Sequence, residues 1–304
     1  MIKTITVTNY LGDTIDLELT RPELSGFIIM SVDGLGSGKA NINTTDMSTN
    51  DGSLYNSARV PSRNITISLR YMGTDNIEEI RHKSYKYFPL KRKVTLRITT
   101  DTRIAEIDGY VESNEPNIFS SEEGADISIV CPYPFFYSAE GDGTQTTIFS
   151  GVEPMFEFPF CNDSLTENLL LMGEIQHKTE NVIVYEGDVE TGVKMTIHAI
   201  GPATHVTIYN VTTREVMRIN TDRLKSLTGS EIVASDDIII DTTRGQKSAI
   251  LIRNGITTNI LNCLDRDSDW FELSKGDNIF AYTAETGNEF LQFKVENKLV
   301  YEGV

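Results

Sequence analysis

The sequence has few residues of the kinds that build covalent cross-links or metal sites. It has 304 residues, of which three are cysteines, four are histidines and one is a tryptophan. Cys131, Cys161 and Cys263 are far apart and odd in number, which supports neither a disulfide framework nor a C-x-x-C zinc site. We expect each to be a small buried apolar side chain, and we predict no metal and no cofactor.

Basic charge and long apolar runs are also scarce. Lysine and arginine number 27 against 44 acidic residues, a net charge of −17, so nucleic acid is not a predicted partner. No apolar run is long enough to predict membrane insertion. The opening "MIKTITVTNYLGD" alternates like a strand and lacks a secretory signal, which predicts a protein that is made and folds in a cytoplasm.

The glycine-rich stretch "DGLGSGKA" at residues 33–40 resembles a phosphate-binding loop only in part. Asp33 stands where the first glycine belongs, and Ala40 stands where a magnesium-binding hydroxyl is required. The following "NINTTDM" is also unlike a helix. We interpret the stretch as a mobile hairpin connection in which Gly34, Gly36 and Gly38 take positive φ angles, and the role of residues 34–56 stays open.

The first half of the chain reads as strands interrupted by one helix. In "NITISLRYM", Ile65, Ile67, Leu69 and Tyr71 fall on one face. The stretch "DNIEEIRHKSYKYF" predicts a helix over 76–88, with Asp75 or Asn76 as its cap and Pro89 after its end. The aromatic run "PYPFFYS" contains two prolines, so we expect it to pack along an edge or against the core.

A polar, glycine-containing break, "SAEGDGTQTT", predicts a boundary between domains 1–140 and 141–304. The acidic excess is five charges up to Glu140 and twelve from Gly141 onward, which also favours two domains. The second half contains alternating segments about ten residues apart, beginning with "MFEFPF" and ending with "FLQFKV", and "TDRLKSL" as a possible short helix. Such spacing predicts a β-sandwich or barrel.

Two groups of residues suggest metal sites but lack part of the required pattern. Asp265, Asp267 and Asp269 in "DRDSDW" open like a calcium loop, yet Trp270 and Gly276 replace the required glycine and glutamate. His198 and His205 flank a Gly-Pro turn and could face each other across a hairpin. Two imidazoles are too few ligands for zinc, so surface histidines are the expectation.

No catalytic constellation is present, and we predict no catalytic residues. The sequence has no G-x-S-x-G elbow and no H-E-x-x-H helix. An acidic β-sandwich invites comparison with glycosidases, but 44 acidic residues give that idea no specific support. Trp270 lies in "WFEL", an apolar strand pattern in which we expect it to be buried.

The order of several motifs gives a more specific indication. The first half contains "DGSLYNSARVPSRNITISLRY", "IEEIRHKSYKYFPLKRKVTLRI" and "RIAEIDGYVESNEPNIFSSEEGADISIVCPYPFFYS". The second half contains "GVKMTIHAIGPATHVTIYNVTTREVMRI", "DDIIIDTTRGQKSAIL" and "DWFELSKGDNIFAYTAE", and the sequence closes on "YEGV". In this order the motifs resemble the distal tail protein family of long-tailed bacteriophages and prophages, over nearly the whole chain. The glycine- and asparagine-rich insert that begins at Asp33 has no assigned partner strand.

The resemblance implies a mainly β fold with two β-sandwich domains. The first domain would carry one packed helix and an extended hairpin that closes a ring, and the second would be galectin-like. It implies a structural baseplate hub, commonly a homo-hexamer, at the tip of the virion tail. The implied partners are the tail tube protein, the tape-measure protein and tail-associated and receptor-binding proteins. A carbohydrate-binding module for host adhesion and a cell-wall hydrolase are the alternatives, the latter without any supporting constellation.

Overall fold

The chain is mainly β, as predicted. The computed structural model describes residues 1–47, 51–73, 76–120, 122–141, 143–154 and 173–304. Cys161 and the predicted strand "MFEFPF" lie outside these residues. By internal contacts the chain divides into two units, Met1–Gly143 with Val300–Val304, and Thr144–Leu299. The assignment of 1–140 to a ring-forming domain and 141–304 to a galectin-like domain stays a prediction.

The first unit consists mainly of β-strands. Its elements are β1 Ile2–Thr8, β2 Thr14–Glu18, α1 Pro22–Ser25, β3 Phe27–Asp33, β4 Asn41–Asp46, β5 Ser53–Arg59, β6 Arg63–Tyr71, α2 Ile77–Tyr87, β7 Lys93–Thr100, β8 Ile104–Pro116, β9 Gly124–Cys131 and β10 Phe136–Ser138. Nine strands form one antiparallel sheet in the order β2-β1-β7-β8-β9-β6-β3, with β10 paired to β8 and to Val300–Tyr301 near the end of the chain.

One face of this sheet is apolar and the other is polar. Ile65, Ile67, Leu69 and Tyr71 of β6 are buried on the same face, as predicted from their alternation. The opposite face carries cross-strand polar pairs such as Arg97 with Glu106. The edge strands β2 and β3 contact each other and are joined by α1, so the sheet curls around its own apolar face.

The predicted helix is present as α2 and packs on the sheet against β6. Ser84 is fully buried and its hydroxyl lies 3.2 Å from that of Tyr71 on β6. Of the two predicted caps, Asn76 precedes the helix, but its side chain accepts no hydrogen bond from the first turn. Asp75 lies outside the described residues. The aromatic run also packs as expected, with Phe136 of β10 fully buried.

The second unit contains two larger sheets. Its elements are β11 Thr144–Ile148, β12 Ser150–Pro154, β13 Gly173–His177, β14 Glu180–Tyr185, β15 Thr191–Gly192, β16 Lys194–Ala199, β17 Thr207–Asn210, β18 Glu215–Arg218, α3 Thr221–Thr228, β19 Asp237–Asp241, β20 Ser248–Arg253, β21 Ile256–Asn259, β22 Glu272–Leu273, β23 Gly276–Thr283 and β24 Leu291–Lys298, with 3₁₀ turns at Leu261–Cys263 and Asn288–Phe290; β25 is Val300–Tyr301 of the first unit.

These two sheets share one apolar core. The six-stranded sheet has the order β11-β24-β16-β19-β20-β21 and the four-stranded sheet the order β14-β23-β17-β18. Side chains from both sheets meet in the core, where Tyr282 of β23 contacts the ring of Phe293 on β24 at 5.3 Å between centroids. This arrangement is a β-sandwich. The short helix predicted at "TDRLKSL" is present as α3.

Candidate assembly surface

A hairpin in the first unit is exposed along both of its strands. Strands β4 and β5 pair with each other, and in the described part of the chain neither joins the nine-stranded sheet. Every residue of both strands is exposed. An isolated two-stranded hairpin is marginally stable in water, so this element gains stability when another surface covers it.

Three large apolar side chains of the hairpin are turned to solvent. The exposed fraction is 64% for Ile42, 56% for Leu54 and 67% for Tyr55. Tyr55 lies opposite Thr44 and Leu54 opposite Thr45, so Tyr55 and Ile42 share one face and Leu54 lies on the other. The hairpin therefore presents apolar groups on both faces, together with unpaired backbone groups on its outer edges.

The glycine-rich loop that leads into the hairpin differs from the prediction. Gly34 has a positive φ of +89°, but Gly36 and Gly38 do not, so positive φ angles at those two positions were wrongly predicted. A Cβ atom at Gly34 would lie 2.2 Å from the carbonyl oxygen of Asn64, so this backbone contact also requires glycine. Two carbonyl groups of this loop, those of Gly34 and Gly36, are bound by the side chain of one residue.

Arg63, at the start of β6, is that side chain. It is 7% exposed, and its Nη1 donates to the carbonyl oxygens of Gly34 and Gly36 at 2.7 and 2.5 Å. Its Nε donates to Pro134 O and its Nη2 to Glu302 O, both at 2.6 Å. Burial lowers the pKa of this guanidinium, and the four carbonyl acceptors compensate for its desolvation.

The same loop is not a phosphate cradle. The residues after Lys39 form β4 and not a helix, so no helix N-terminus is available for phosphate. A cavity of about 350 Å³ lies beside the loop, and its lining includes Gly38, Lys39 and Arg63. Because the Arg63 guanidinium already binds four carbonyl oxygens, it is poorly placed to bind an anion there.

The two histidines singled out in the sequence do not face each other. The predicted hairpin between them is wrong, since β16 with His198 and β17 after His205 belong to different sheets. His198 Nδ1 lies 2.7 Å from the Asp237 carboxylate, and His205 lies near Asp222 at 3.8 Å. Between the two residues the chain crosses from one sheet of the sandwich to the other. Each histidine therefore has its own acidic partner.

The aspartates of "DRDSDW" serve local structure. The Asp269 carboxylate accepts a hydrogen bond from Val216 N at 3.0 Å, and Asp265 pairs with Arg223 at 3.5 Å. Among the described residues, no three histidine, cysteine or acidic side chains are grouped closely enough to hold a metal ion. No helix in the described part of the chain is long and apolar enough to cross a membrane.

Two described cysteines are buried thiols, as predicted. Burial raises the pKa of Cys131 to about 11 and also raises the pKa of Cys263. The predicted burial of Trp270 in a strand is only partly right. The residue precedes β22 and packs against the core while partly exposed, with Lys247 Nζ 5.1 Å from the centre of its ring.

The second unit has a groove of about 610 Å³ on the outer face of its six-stranded sheet. The groove is lined by Ile148, Lys194, Thr196, His198, Asp237, Ile239, Gln292, Phe293, Lys294 and Glu296. Its polar side chains are largely paired with one another, as Lys294 is with Glu296 at 3.1 Å. The one aromatic residue of this lining, Phe293, is 1% exposed, so the groove offers no stacking platform.

Comparison with known proteins identifies the second unit. Residues 186–296 match the family model "Siphovirus-type tail component, C-terminal domain". The structure is similar to that of the Dit protein of phage SPP1, described as a paradigm of the hub adsorption apparatus in phages that infect Gram-positive bacteria. That similarity has a TM-score of 0.65 at 12% identity, over 97% of this chain and 99% of that one.

Further matches are weaker. The phage P2 baseplate in its activated conformation gives a TM-score of 0.47 with calcium and 0.46 with strontium, at 13% and 12% identity. These cover 98% and 97% of this chain, and 99% and 98% of those chains. A search of curated protein sequences gave no match.

The β-sandwich of the second unit is therefore similar to the C-terminal domain of siphovirus-type tail components. This match confirms, for residues 186–296, the resemblance to the distal tail protein family that was drawn from the order of the sequence motifs. The likeness to the SPP1 protein extends the same fold over both units.

Proposed function

We propose that this protein forms a ring at the tip of a phage tail and connects the tail tube to the tip and host-adhesion proteins. The observation that carries the proposal is the β4–β5 hairpin, which is exposed along both strands and bears apolar side chains on both faces. Strand edges and apolar faces of this kind bind readily to a neighbouring copy. The family resemblance supports six copies.

Ring closure requires that one surface of each copy bind a different surface of the next. A series of such heterologous contacts closes into a ring when the rotation between neighbouring copies is a whole fraction of a full turn. A hairpin that projects from one copy suits this role, because a projecting element can reach a surface unlike its own. The same proposal includes four further points. These are the galectin-like character of the second unit, assembly with tube and tape-measure proteins, location at the tail tip and synthesis in the host cytoplasm.

The test measures assembly with and without the apolar groups of the hairpin. Light scattering coupled to size-exclusion chromatography, over a concentration series and followed by negative-stain imaging, is expected to show rings with an open centre. Ile42→Ser with Tyr55→Ser should abolish them. Leu227→Ser with Ile256→Ser is the matched control, since these side chains are 54% and 69% exposed in the second unit.

Two results would overturn the proposal. One is a wild-type protein that stays monomeric at all concentrations and also after addition of tail tube protein. The other is a ring that persists unchanged in the hairpin variant, which would place the contact elsewhere on the chain.

Saccharide binding by the second unit is a second candidate, favoured by the groove that contains Lys194, His198 and Gln292. These side chains can hydrogen-bond to sugar hydroxyls, but the groove lacks the exposed aromatic ring that sugar sites commonly use. A glycan array that includes bacterial wall polysaccharides tests it. Binding that is lost in Gln292→Ala would support this function, and absence of binding to every glycan would remove it.

A further inference from the structure

The residues that follow the second unit return to the first. We call Val300–Val304 the returning segment. Its first two residues form β25, in which Val300 pairs with Tyr137 and Tyr301 with Phe136 of β10. The backbone N–H of Val304 then donates to the carbonyl oxygen of Leu35 at 3.1 Å. The segment thus reaches the loop from which the hairpin leaves the sheet.

Arg63 joins the same two stretches of chain. One of its terminal nitrogens binds the hairpin loop at Gly34 and Gly36, and the other binds Glu302 O of the returning segment. The guanidinium also lies over the ring of Phe136, 4.8 Å from its centre. Its flat, forked shape holds both partners in fixed directions, which a flexible ammonium group cannot do.

The contact between the two stretches leaves no room for a side chain. A Cβ atom on Gly303 would lie 2.8 Å from the carbonyl carbon of Gly36 and 3.0 Å from Leu35 O and Ser37 N. Gly303 has no positive φ, so alanine there would be unfavourable through this contact alone. The loop itself has spare room, because a Cβ atom on Gly36 would meet nothing within 4 Å.

We propose that Arg63 and the returning segment are positioning elements for the β4–β5 hairpin. They fix its base, which is the loop at residues 34–40, and hence the direction in which the hairpin leaves the sheet. The inference rests on the proposed ring function. It adds that the hairpin is held ready for assembly only after the chain has passed through the second unit and returned. In the described part of the chain, β4 and β5 pair only with each other, so the direction of the hairpin depends on its base.

The test compares two glycine-to-alanine variants of the full chain. In the monomer, Gly303→Ala should raise amide hydrogen exchange about tenfold in residues 35–47, because local opening becomes easier. Gly36→Ala is the matched control and should leave it unchanged. Ring formation should fall in parallel for Gly303→Ala and not for Gly36→Ala, and Arg63→Lys should resemble Gly303→Ala in both measurements. Thermal unfolding of each variant confirms that the units remain folded.

The outcomes separate this inference from the ring proposal. Unchanged exchange in both Gly303→Ala and Arg63→Lys would overturn the positioning role whether or not rings form. Faster exchange with undiminished rings would overturn it as well, since assembly would not depend on the base. Failure of the wild type to form rings would overturn the ring proposal, and the exchange data would still decide whether the returning segment holds the loop.

Discussion

The contribution of a charged residue to the stability of this protein depends on how deeply the residue is buried. Asp236 is 1% exposed and binds Arg253, whose guanidinium donates to both carboxylate oxygens and to Ser230. The more exposed pair of Arg244 and Glu272, with side chains that are 72% and 26% exposed, has a similar forked geometry, with bonds of 2.8 and 2.7 Å. The two pairs therefore differ mainly in their access to water.

We predict that Asp236→Asn destabilises the second unit by about 3–5 kcal/mol, because it leaves the guanidinium of Arg253, which is mostly shielded from water, without its counter-charge. Glu272→Gln, the control at the exposed pair, should cost less than about 1 kcal/mol, since water screens that interaction. Urea unfolding followed by circular dichroism measures both. Equal effects of the two substitutions would show that Asp236 is not the buried partner described above.

The described thiols should be unreactive in the folded protein. The pKa of Cys131 is raised to about 11, so at pH 8 the thiol stays protonated, and the thiolate is the nucleophile. Iodoacetamide labelling read by peptide mass spectrometry should leave Cys131 and Cys263 unmodified until denaturant is added. Labelling of Cys131 in the native state at the rate of a free thiol would contradict its burial.

Burial of single residues could be predicted from the sequence where it follows a simple period. The alternation in β6 placed Ile65 and Leu69 correctly on the apolar face. The role of Arg63 could not be predicted, because its partners are backbone carbonyls at Gly34, Pro134 and Glu302. Carbonyl groups carry no sequence signature, and these three lie far apart along the chain.

Among the elements, the two longer helices begin in different ways. The Asn220 side chain caps α3 by accepting hydrogen bonds from Asp222 N and Arg223 N, both at 3.1 Å. Asn76 occupies the same position before α2 without such a bond. Asparagine is a favourable capping residue in general, so the residue type alone does not distinguish the two cases.

We predict that Asn220→Ala costs about 1 kcal/mol of stability and that Asn76→Ala costs a few tenths. Thermal unfolding with both variants in the same buffer gives the comparison. The Asn220 variant should show the lower melting temperature. The reverse order would mean that the described caps are not those of the protein in solution.

Elements could be predicted best where the pattern was regular. The periodicity of the sequence predicted strands of the sandwich in the second unit and the helix at 76–88. Strand β4, "NINTTD", was missed because its asparagines and threonines give no apolar alternation, and no core covers it. The supposed hairpin between His198 and His205 was wrong because strand pairing depends on the topology of the sandwich, which a local turn signal does not reveal.

The whole molecule carries a net charge of −17, and each added copy in a ring brings the same charge. Copies of like charge repel each other at low ionic strength. At 0.1 M salt, the repulsion between exposed charges more than about 10 Å apart is largely screened. The hairpin, by contrast, offers apolar groups such as Ile42 and Tyr55, whose association salt does not weaken. If the ring is held by these groups, charge opposes its assembly and salt assists it.

We therefore predict that the ring fraction rises as sodium chloride is raised from about 20 to 300 mM, the range over which the screening length falls from about 20 to about 6 Å. Sedimentation velocity at fixed protein concentration measures the fraction. Magnesium chloride at equal ionic strength is the control, because a larger effect there would indicate specific divalent binding. A ring fraction that falls with sodium chloride would show that ion pairs hold the copies together, and would contradict an apolar contact through the hairpin.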